Sequence, residues 1–297
     1  MRLASRIREV GRACLVCGAC LVCGACLFCG VGLLADVSMV MAAPVARIVS
    51  LNICTDDWLL RLADPGQIAA ITSLSQDPQG GLMAAQARRH TAIQGQAEEA
   101  LALKPDLILA GPFTTPATVG LLRRLKAPLL VVPLPETFAQ AKEGLRRFAA
   151  AIGQPARGEQ AIAAMEAQLQ QPATPLPRKL RALMLQANGF TAGKGTFVDE
   201  ILQAADLVNI AAEQGIAGYG RMPLEDVLRA RPDLLIIDGE ADDAPALAAR
   251  IPNHPALKQL AMQRVMLPSR LWTCPGPGAV EAVLRLRNAS AAARAPE

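Results

Sequence analysis

Six cysteines fall at every third position near the start of the chain, at positions 14, 17, 20, 23, 26 and 29. Proteins use Cys-x-x-Cys spacing to hold zinc or iron–sulfur clusters. Here the thiols lie in an uncharged apolar run from Ala13 to Leu34 that contains no histidine, and cysteine in such a run behaves as a small hydrophobe. We therefore interpret them as part of an apolar segment and predict no metal site.

The flanks of this apolar run are those of an export signal. Arginines at positions 2, 6, 8 and 12 precede it, and the small-residue segment Val40-Met41-Ala42 follows it. A basic start, an apolar middle and small residues at the end are typical of a secretory signal. We predict that residues 1–42 are a signal peptide cut after Ala42, and that the mature protein is exported. The run is also near the minimum length of a membrane span, so an uncleaved membrane anchor is the alternative.

The other two cysteines, Cys54 and Cys274, each follow a predicted strand. In an oxidising compartment they could form a disulfide, or one of them could contact a bound metal complex. The alternative is that both are buried free thiols. The sequence leaves these three interpretations open.

Catalytic chemistry has little support in the rest of the chain. His90 and His254 are the only histidines, and no Gly-x-Ser-x-Gly elbow, His-Glu-x-x-His pair or dinucleotide fingerprint occurs. Gly193-Lys194-Gly195-Thr196 is not a phosphate loop, because no glycine precedes it at the required distance. A helix that starts near Thr196 could still favour an anionic ligand group. Thr55 and Asp56 are the predicted caps of a helix. The pair Asp56 and Asp57 at its start fits a cap with favourable helix-end charge better than an acid–base pair. We therefore predict no catalytic residues and no enzyme.

Charge excludes one further class of function. The chain has 297 residues and a formal net charge of +4, of which the first 42 residues supply half. No patch of Lys and Arg interleaved with aromatic residues occurs, so we expect no nucleic-acid partner.

One segment of the sequence, which positions several of the remaining candidate residues, occurs twice in the chain. The segment from Glu98 to Gly111 reappears 127 positions later, from Glu225 to Asp238, with matching glutamate, basic residue and Pro-Asp-Leu. Each copy predicts a short helix that stops before its proline, followed by a fully buried strand of the kind found in parallel sheets. The repeat therefore predicts two similar lobes.

Strands and helices alternate along the whole chain after position 43, which favours α/β lobes with parallel sheets. Two helices in series, Phe138 to Ile152 and Ala156 to Leu169, precede a proline-rich piece at 171–177. We predict an N-terminal lobe at 43–152, a connecting helix and linker at 153–177, and a C-terminal lobe at 178–297. The fold class is thus two Rossmann-like lobes joined by a single long helix, with a ligand cleft between them.

Ligands of open parallel sheets bind at the carboxyl ends of the strands. The loops predicted there are Asn52–Thr55, Gly111–Thr115, Ala187–Gly195, Gly239–Asp242 and Ser269–Cys274, and a further loop, Gly215–Arg221, precedes the second repeat copy. These loops hold aromatic rings that could stack on a flat ligand and cations that could meet an anionic one. The alternative is that each ring fills a gap beneath its own loop. The candidate ligand-binding residues are Asn52, Cys54, Phe113, Phe190, Lys194, Tyr219, Arg221, Arg270 and Trp272.

Glu98 and Glu225 occupy equivalent points on the two repeat copies. A helix that precedes a parallel strand begins at the edge where the strands end, so both glutamates should lie beside the cleft. Stabilisation of a helix end is the ordinary role of such a residue. Their duplication instead favours docking to a two-fold symmetric partner through paired basic sockets.

Five segments of the chain, in this order, resemble the periplasmic binding proteins that serve iron–siderophore, haem and cobalamin import. The segments are Arg47–Asn52, Leu103–Leu107, Gly195–Asp199, Gly218–Glu225 and Arg231–Leu234. The resemblance implies two lobes joined by one rigid helix, for which Ala156 to Leu169 is the candidate. It also implies delivery of the ligand to an inner-membrane ABC permease dimer with its ATPase, with Glu98 and Glu225 at the points that meet permease arginines.

The expected function is therefore that of a monomeric, non-enzymatic solute-binding protein that captures a metal chelate. We expect no resident cofactor, and the ligand itself to contain iron or cobalt. Cobalamin binders of the family use more cleft aromatics than this chain has, so the sequence does not identify the chelate. An exported chelatase-like enzyme and a ligand-sensing module that use the same cleft are the alternatives.

Overall fold

The computed structural model describes residues 45–172, 175–239 and 251–292. The predicted signal peptide and anchor at 1–42 lie outside the described residues, as do positions 240–242 of one predicted cleft loop. None of the described helices is both long and apolar enough to cross a membrane.

The first lobe is a five-stranded parallel sheet in the order β3-β2-β1-β4-β5. Its strands are β1 Ile48–Ser50, β2 Ile68–Thr72, β3 Ala92–Ile93, β4 Leu107–Ala110 and β5 Leu129–Val131. Its helices are α1 Ile53–Leu62, α2 Ala84–Ala87, α3 Ala97–Ala102 and α4 Pro116–Arg124. The short aliphatic strands at the centre are buried because helices cover both faces of the sheet.

Two helices lead out of this lobe, α5 Phe138–Ala151 and α6 Pro155–Leu169. The hydroxyl of Thr137 accepts a hydrogen bond from the amide of Gln140 and caps α5. Gly153 has φ +76° and lets the chain turn between the two helices. At 15 residues, α6 is about 22 Å long, and it connects the lobes.

The second lobe has a four-stranded parallel sheet in the order β11-β10-β6-β8 and a separate two-stranded ribbon, β7-β9. Its strands are β6 Leu180–Leu185, β7 Phe190–Ala192, β8 Leu207–Asn209, β9 Tyr219–Arg221, β10 Leu234–Ile237 and β11 Gln263–Met266. Its helices are α7 Phe197–Ala204, α8 Ile210–Glu213, α9 Leu224–Ala230, α10 Pro255–Lys258 and α11 Pro277–Ala292. The prediction of two α/β lobes with parallel sheets is confirmed, while the predicted domain boundaries at 152 and 177 stay a prediction.

The two repeat copies fold alike. β4 and β10 begin and end at positions 127 residues apart, and each follows a short helix. At the start of these strands the carboxylate of Asp106 accepts a hydrogen bond from the backbone amide of Arg47 at 2.9 Å. The carboxylate of Asp233 accepts one from the backbone amide of Arg181 at 2.8 Å. The repeated Pro-Asp therefore holds each strand to its central neighbour, at the sheet edge opposite the cleft.

One apolar cluster spans both lobes, in addition to a separate cluster within each lobe. Trp58 of α1 meets Phe148 of α5 edge-on, with ring centroids 5.5 Å apart. Phe138 of α5 in turn contacts Phe197 of α7 in the second lobe at 5.0 Å. These rings belong to one buried cluster that also includes residues of α6 and α11, so the base between the lobes is packed.

Two local predictions are wrong. Segments 187–195 and 215–221, predicted as loops, contain β7 and β9, which pair antiparallel with Phe190 opposite Arg221. α1 begins at Ile53 with Asn52 as its N-cap, whereas Thr55 and Asp56 were the predicted caps. The Asn52 side-chain oxygen accepts a hydrogen bond from the backbone amide of Cys54 at 2.9 Å. This Asx turn starts the helix before Thr55.

Candidate functional site

The site begins where β1 passes into α1. Asn52 is buried because its amide group caps α1 and lies against the end of β4. A Cβ at Gly111 would stand 2.6 Å from the Asn52 side chain, so only glycine allows this approach. Asn52 therefore fixes the first-lobe edge of the cleft, a structural role that the sequence interpretation did not assign to it.

A disulfide between Cys54 and Cys274 crosses from one lobe to the other. The S–S distance is 2.13 Å and the Cα atoms are 5.0 Å apart. Cys54 lies in the first turn of α1, and Cys274 lies in the segment that joins β11 to α11. Of the three interpretations of these thiols, the structure shows the pairing.

Two concavities adjoin the disulfide. One contains Cys54 and is mostly apolar, and the other contains Cys274 and is more polar. The first is lined by Asn52, Cys54, Thr55, Trp58, Gly111, Pro112, Val132, Pro133, Leu134, Pro135 and Pro275. The second is lined by Ile53, Asp57, Leu60, Ser75, Gly80, Gly81, Leu82, Met83, Arg270 and Cys274.

The β7-β9 ribbon presents an aromatic and cationic face. Phe190 and Tyr219 stack with ring centroids 5.8 Å apart and planes within 7° of parallel, and they are 38% and 55% exposed. Arg221 is exposed on the same face, because it pairs across the ribbon with Phe190. Partial burial raises the pKa of the Tyr219 phenol, so it stays protonated at neutral pH. Lys194 lies next to the ribbon, bridged to Ala217.

The other predicted ligand residues are more dispersed. Phe113 is 64% exposed in the loop after β4. Trp272 is half-buried, packs against the shared core and donates its indole N–H to the Leu267 carbonyl at 3.5 Å. Arg270 lines the polar concavity. The structure thus brings Phe190, Tyr219 and Arg221 together and leaves Trp272 largely occupied by packing.

The start of α7 is not open to an anionic ligand group. Thr196 caps the helix, and the carboxylate of Asp199 accepts the amide of Gly195 at 3.3 Å. The helix end is therefore already filled by the chain's own acidic side chain. The expectation that this helix start could favour an anionic ligand group has no support, although Lys194 remains exposed beside it.

Asp56 is a fully buried carboxyl beneath the polar concavity. It accepts hydrogen bonds from the hydroxyls of Thr72 and Ser75 and from the amide of Thr72. Burial raises the pKa of Asp56 to about 7, against the lowering effect of these hydrogen bonds. The group ties the start of α1 to the segment after β2, and so holds the wall formed by Ser75 in place.

Glu98 and Glu225 are both exposed in the first turns of α3 and α9. In the part of the chain that the structure describes, neither carboxylate has a hydrogen-bond or ion-pair partner. By contrast, Glu99 beside Glu98 accepts the amides of Gln94 and Gln96 and completes a capping box. Helix capping in the first copy therefore belongs to Glu99 and not to Glu98.

Sequence reasoning missed the apolar wall formed by Trp58 and the 132–135 segment. The rule that strand ends face the ligand would have pointed to this segment, since it directly follows β5. Trp58 gave no such signal, because its position between the lobes depends on packing that is distant in sequence.

Comparison with known proteins agrees with this architecture. A cobalamin-binding protein of Halobacterium salinarum is 24% identical over 274 residues, which cover 86% of this chain and 72% of that protein. An uncharacterized ABC transporter substrate-binding lipoprotein of Bacillus subtilis, YvrC, is 25% identical over 150 residues, and the match spans only 47% of either chain. Among solved structures, the apo periplasmic haem-binding protein RhuT of Roseiflexus sp. RS-1 aligns with a TM-score of 0.69. It is 23% identical, and the alignment covers 84% of this chain and 99% of that one, so this likeness shows the fold.

The family model described as periplasmic binding protein matches residues 48–263, from the first strand to the beginning of the last. The match covers more than half of the chain and extends through the first lobe into the second, as far as the start of β11. This protein therefore belongs to the periplasmic binding protein family.

Proposed function

We propose that this protein is the solute-binding component of an ABC importer, which captures a metal chelate between its lobes and delivers it to an inner-membrane permease. Membership of the family implies a location outside the cytoplasm. The observation that carries the proposal is the pair Glu98 and Glu225. They are equivalent in the two repeat copies, exposed, and without a partner among the described residues.

The geometry of this pair suits a two-fold partner. A permease dimer would present the same basic socket twice, and each lobe offers one acidic side chain on the first turn of a short helix. Charge complementarity of this kind sets orientation and association rate. The names of the relatives support a transporter partner, since one is described as an ABC transporter substrate-binding lipoprotein.

The class of ligand follows from the ribbon face and the apolar concavity. Stacked Phe190 and Tyr219 offer a flat apolar surface, and Arg221 and Lys194 beside them offer positive charge. This combination suits a large ring-bearing ligand with anionic groups, such as haem, a ferric siderophore or cobalamin. One relative is described as binding cobalamin and one structural neighbour as binding haem. Iron or cobalt enters as part of this cargo, and we propose binding without chemical turnover.

The test is titration of the exported protein with haemin, a ferric hydroxamate siderophore and cyanocobalamin, with tryptophan emission as the readout. Trp58 lines the apolar concavity, so a ligand bound there should quench it. Saturable quenching at micromolar or lower concentration by one of the three, with the chelate recovered unchanged, is the expected result. Absence of binding to all three, or conversion of the chelate, would overturn the proposal.

A further inference from the structure

The floor of the cleft is held by one face of α1. Cys54 and Trp58 are four residues apart and so lie on the same side of this helix. Cys54 is bonded to Cys274, and the Trp58 indole donates a hydrogen bond to the Pro275 carbonyl at 3.2 Å. Consecutive residues of the second lobe are thus attached to consecutive turns of a first-lobe helix, once covalently and once by a hydrogen bond.

The segment that follows Cys274 lies directly on the first lobe. A Cβ at Gly276 would stand 2.6 Å from the Trp58 indole nitrogen, and one at Gly278 would stand 2.2 Å from the Leu82 side chain. A side chain at Gly276 would therefore collide with the buried Trp58 indole, and one at Gly278 would have to displace the end of the Leu82 side chain. The attachment is a close backbone-to-helix contact, which the disulfide locks.

The same bond forms part of both concavities. Cys54 lines the apolar concavity and Cys274 the polar one. Cys274 is 6% exposed and Cys54 is partly exposed. Any widening of the cleft at its floor would have to break this bond or move α1 with the second lobe.

We propose that the Cys54–Cys274 disulfide is an interlobe clamp that sets the width of the cleft at its floor, so that ligand enters and leaves only by movement at the rim. Cys54 and Cys274 are then positioning residues, since they act through the surfaces that line the cleft. The effect on ligand exchange rests on the proposed function, whereas the effect on lobe separation does not.

The first arm of the test measures lobe separation without ligand. A Trp272→Phe variant leaves Trp58 as the only tryptophan, because the chain has two. Treatment of this exported protein with the reductant TCEP should shift its emission to longer wavelength, as Trp58 loses its Pro275 contact. Amide exchange of residues 273–276 should become roughly tenfold faster. The same Trp272→Phe protein with Cys54→Ser and Cys274→Ser should show both changes without TCEP and no further change on its addition.

The second arm measures release of haemin, or of whichever probe binds, from oxidised and TCEP-treated protein. A dissociation rate several-fold faster after reduction is expected, with the double Cys→Ser variant unresponsive to TCEP. Unchanged emission and exchange in the first arm would overturn the clamp, whatever the ligand. If reduction changes emission and exchange in the first arm but none of the probes binds, the clamp stands and the proposed metal-chelate ligand is rejected. A positive first arm with an unchanged release rate would reject the clamp's role in exchange. TCEP is added to protein that has already folded with its disulfide. The clamp can therefore be tested even if the double Cys→Ser variant fails to fold.

Discussion

Lys104 and Arg231, 127 residues apart and each followed by proline, both have left-handed backbone, with φ of +48° and +46°. A non-glycine residue in this region is uncommon and costs about 1 kcal/mol or more. The two repeat copies therefore share a disfavoured backbone turn as well as a sequence. This turn places the helix before it and the strand after it in the same relation in both lobes.

The equivalence of the two copies makes a first prediction about Glu98 and Glu225. Reversal of both to lysine should abolish uptake of the chelate and leave its affinity unchanged, because the side chains are exposed and have no partner among the described residues. Each single reversal should reduce uptake less than the double one. Uptake by whole cells and titration of the purified variants measure the two effects.

The matched control is Glu99→Lys, which lies one residue from Glu98 but caps α3. It should lower stability by roughly 1 kcal/mol and spare uptake at low temperature. Normal uptake by the double reversal would remove the docking role of the pair.

A second prediction concerns the contribution of the disulfide to stability. Cys54 and Cys274 are separated by 220 residues, and a cross-link over such a loop removes much entropy from the unfolded chain. Replacement of both by serine should lower the free energy of unfolding by about 2–5 kcal/mol. Urea denaturation with and without TCEP provides the measurement. A loss below about 0.5 kcal/mol would show that the noncovalent contacts of Trp58 and α11 already account for the interlobe stability.

A third prediction separates stacking from hydrogen bonding in the ribbon. Tyr219→Ala removes the ring that stacks on Phe190 and should weaken chelate binding about 3- to 10-fold. Tyr219→Phe keeps the ring and should bind like the original protein if stacking is the whole contribution. A loss in the phenylalanine variant equal to that in the alanine variant would instead assign the contribution to the phenol oxygen. Equilibrium titration with the chelate distinguishes these outcomes.

The fold was predictable where the internal repeat gave two independent copies of the same sequence signal. The repeated Pro-Asp-Leu marked β4 and β10 correctly, because a proline ends a helix and a continuous apolar run follows it. Glu98 and Glu225 lie in the first turns of the two repeated helices, and their position beside the cleft stays a prediction. These local sequence signals were therefore sufficient to predict two α/β lobes with parallel sheets.

The ribbon and the helix start at Asn52 were not predictable in the same way. β7 and β9 have three residues each, and each pairs with a segment almost 30 residues away. Three residues are too few for an alternation of apolar and polar side chains to predict a strand. Glycines at 193, 218 and 220 mark a loop in the sequence. In the fold, Gly193 allows close approach of the Ile216 carbonyl, Gly220 lies against the Ile216 side chain, and Gly218 has φ +69°. The capping role of Asn52 was not predicted, because Thr55 and Asp56 were the expected caps; its role in ligand binding stays a prediction, and its side chain lines the apolar concavity.

The last prediction concerns pH and the buried carboxyl of Asp56. Burial raises the pKa of Asp56 from 3.8 to about 7 in the folded protein, so between these values the folded state binds a proton that the unfolded state releases. Stability from this group is therefore fully present below pH 4 and is lost as the pH rises towards 7, by up to roughly 4 kcal/mol. His90 acts in the opposite direction, because burial lowers its pKa and folding then disfavours its protonated form.

The Asp56→Asn variant separates the two effects, since asparagine does not ionise and still accepts hydrogen bonds from Thr72 and Ser75. The difference in unfolding free energy between the original protein and the variant should change steadily between pH 4.5 and 7.5, in favour of the variant as pH rises. Urea denaturation across this range supplies the measurement. A difference that does not vary with pH would mean that Asp56 is ionised throughout, with its charge fully balanced by the three hydrogen bonds that it accepts. The segment around Ser75 would then be held by a charged group, and the polar concavity would have an acidic floor at neutral pH.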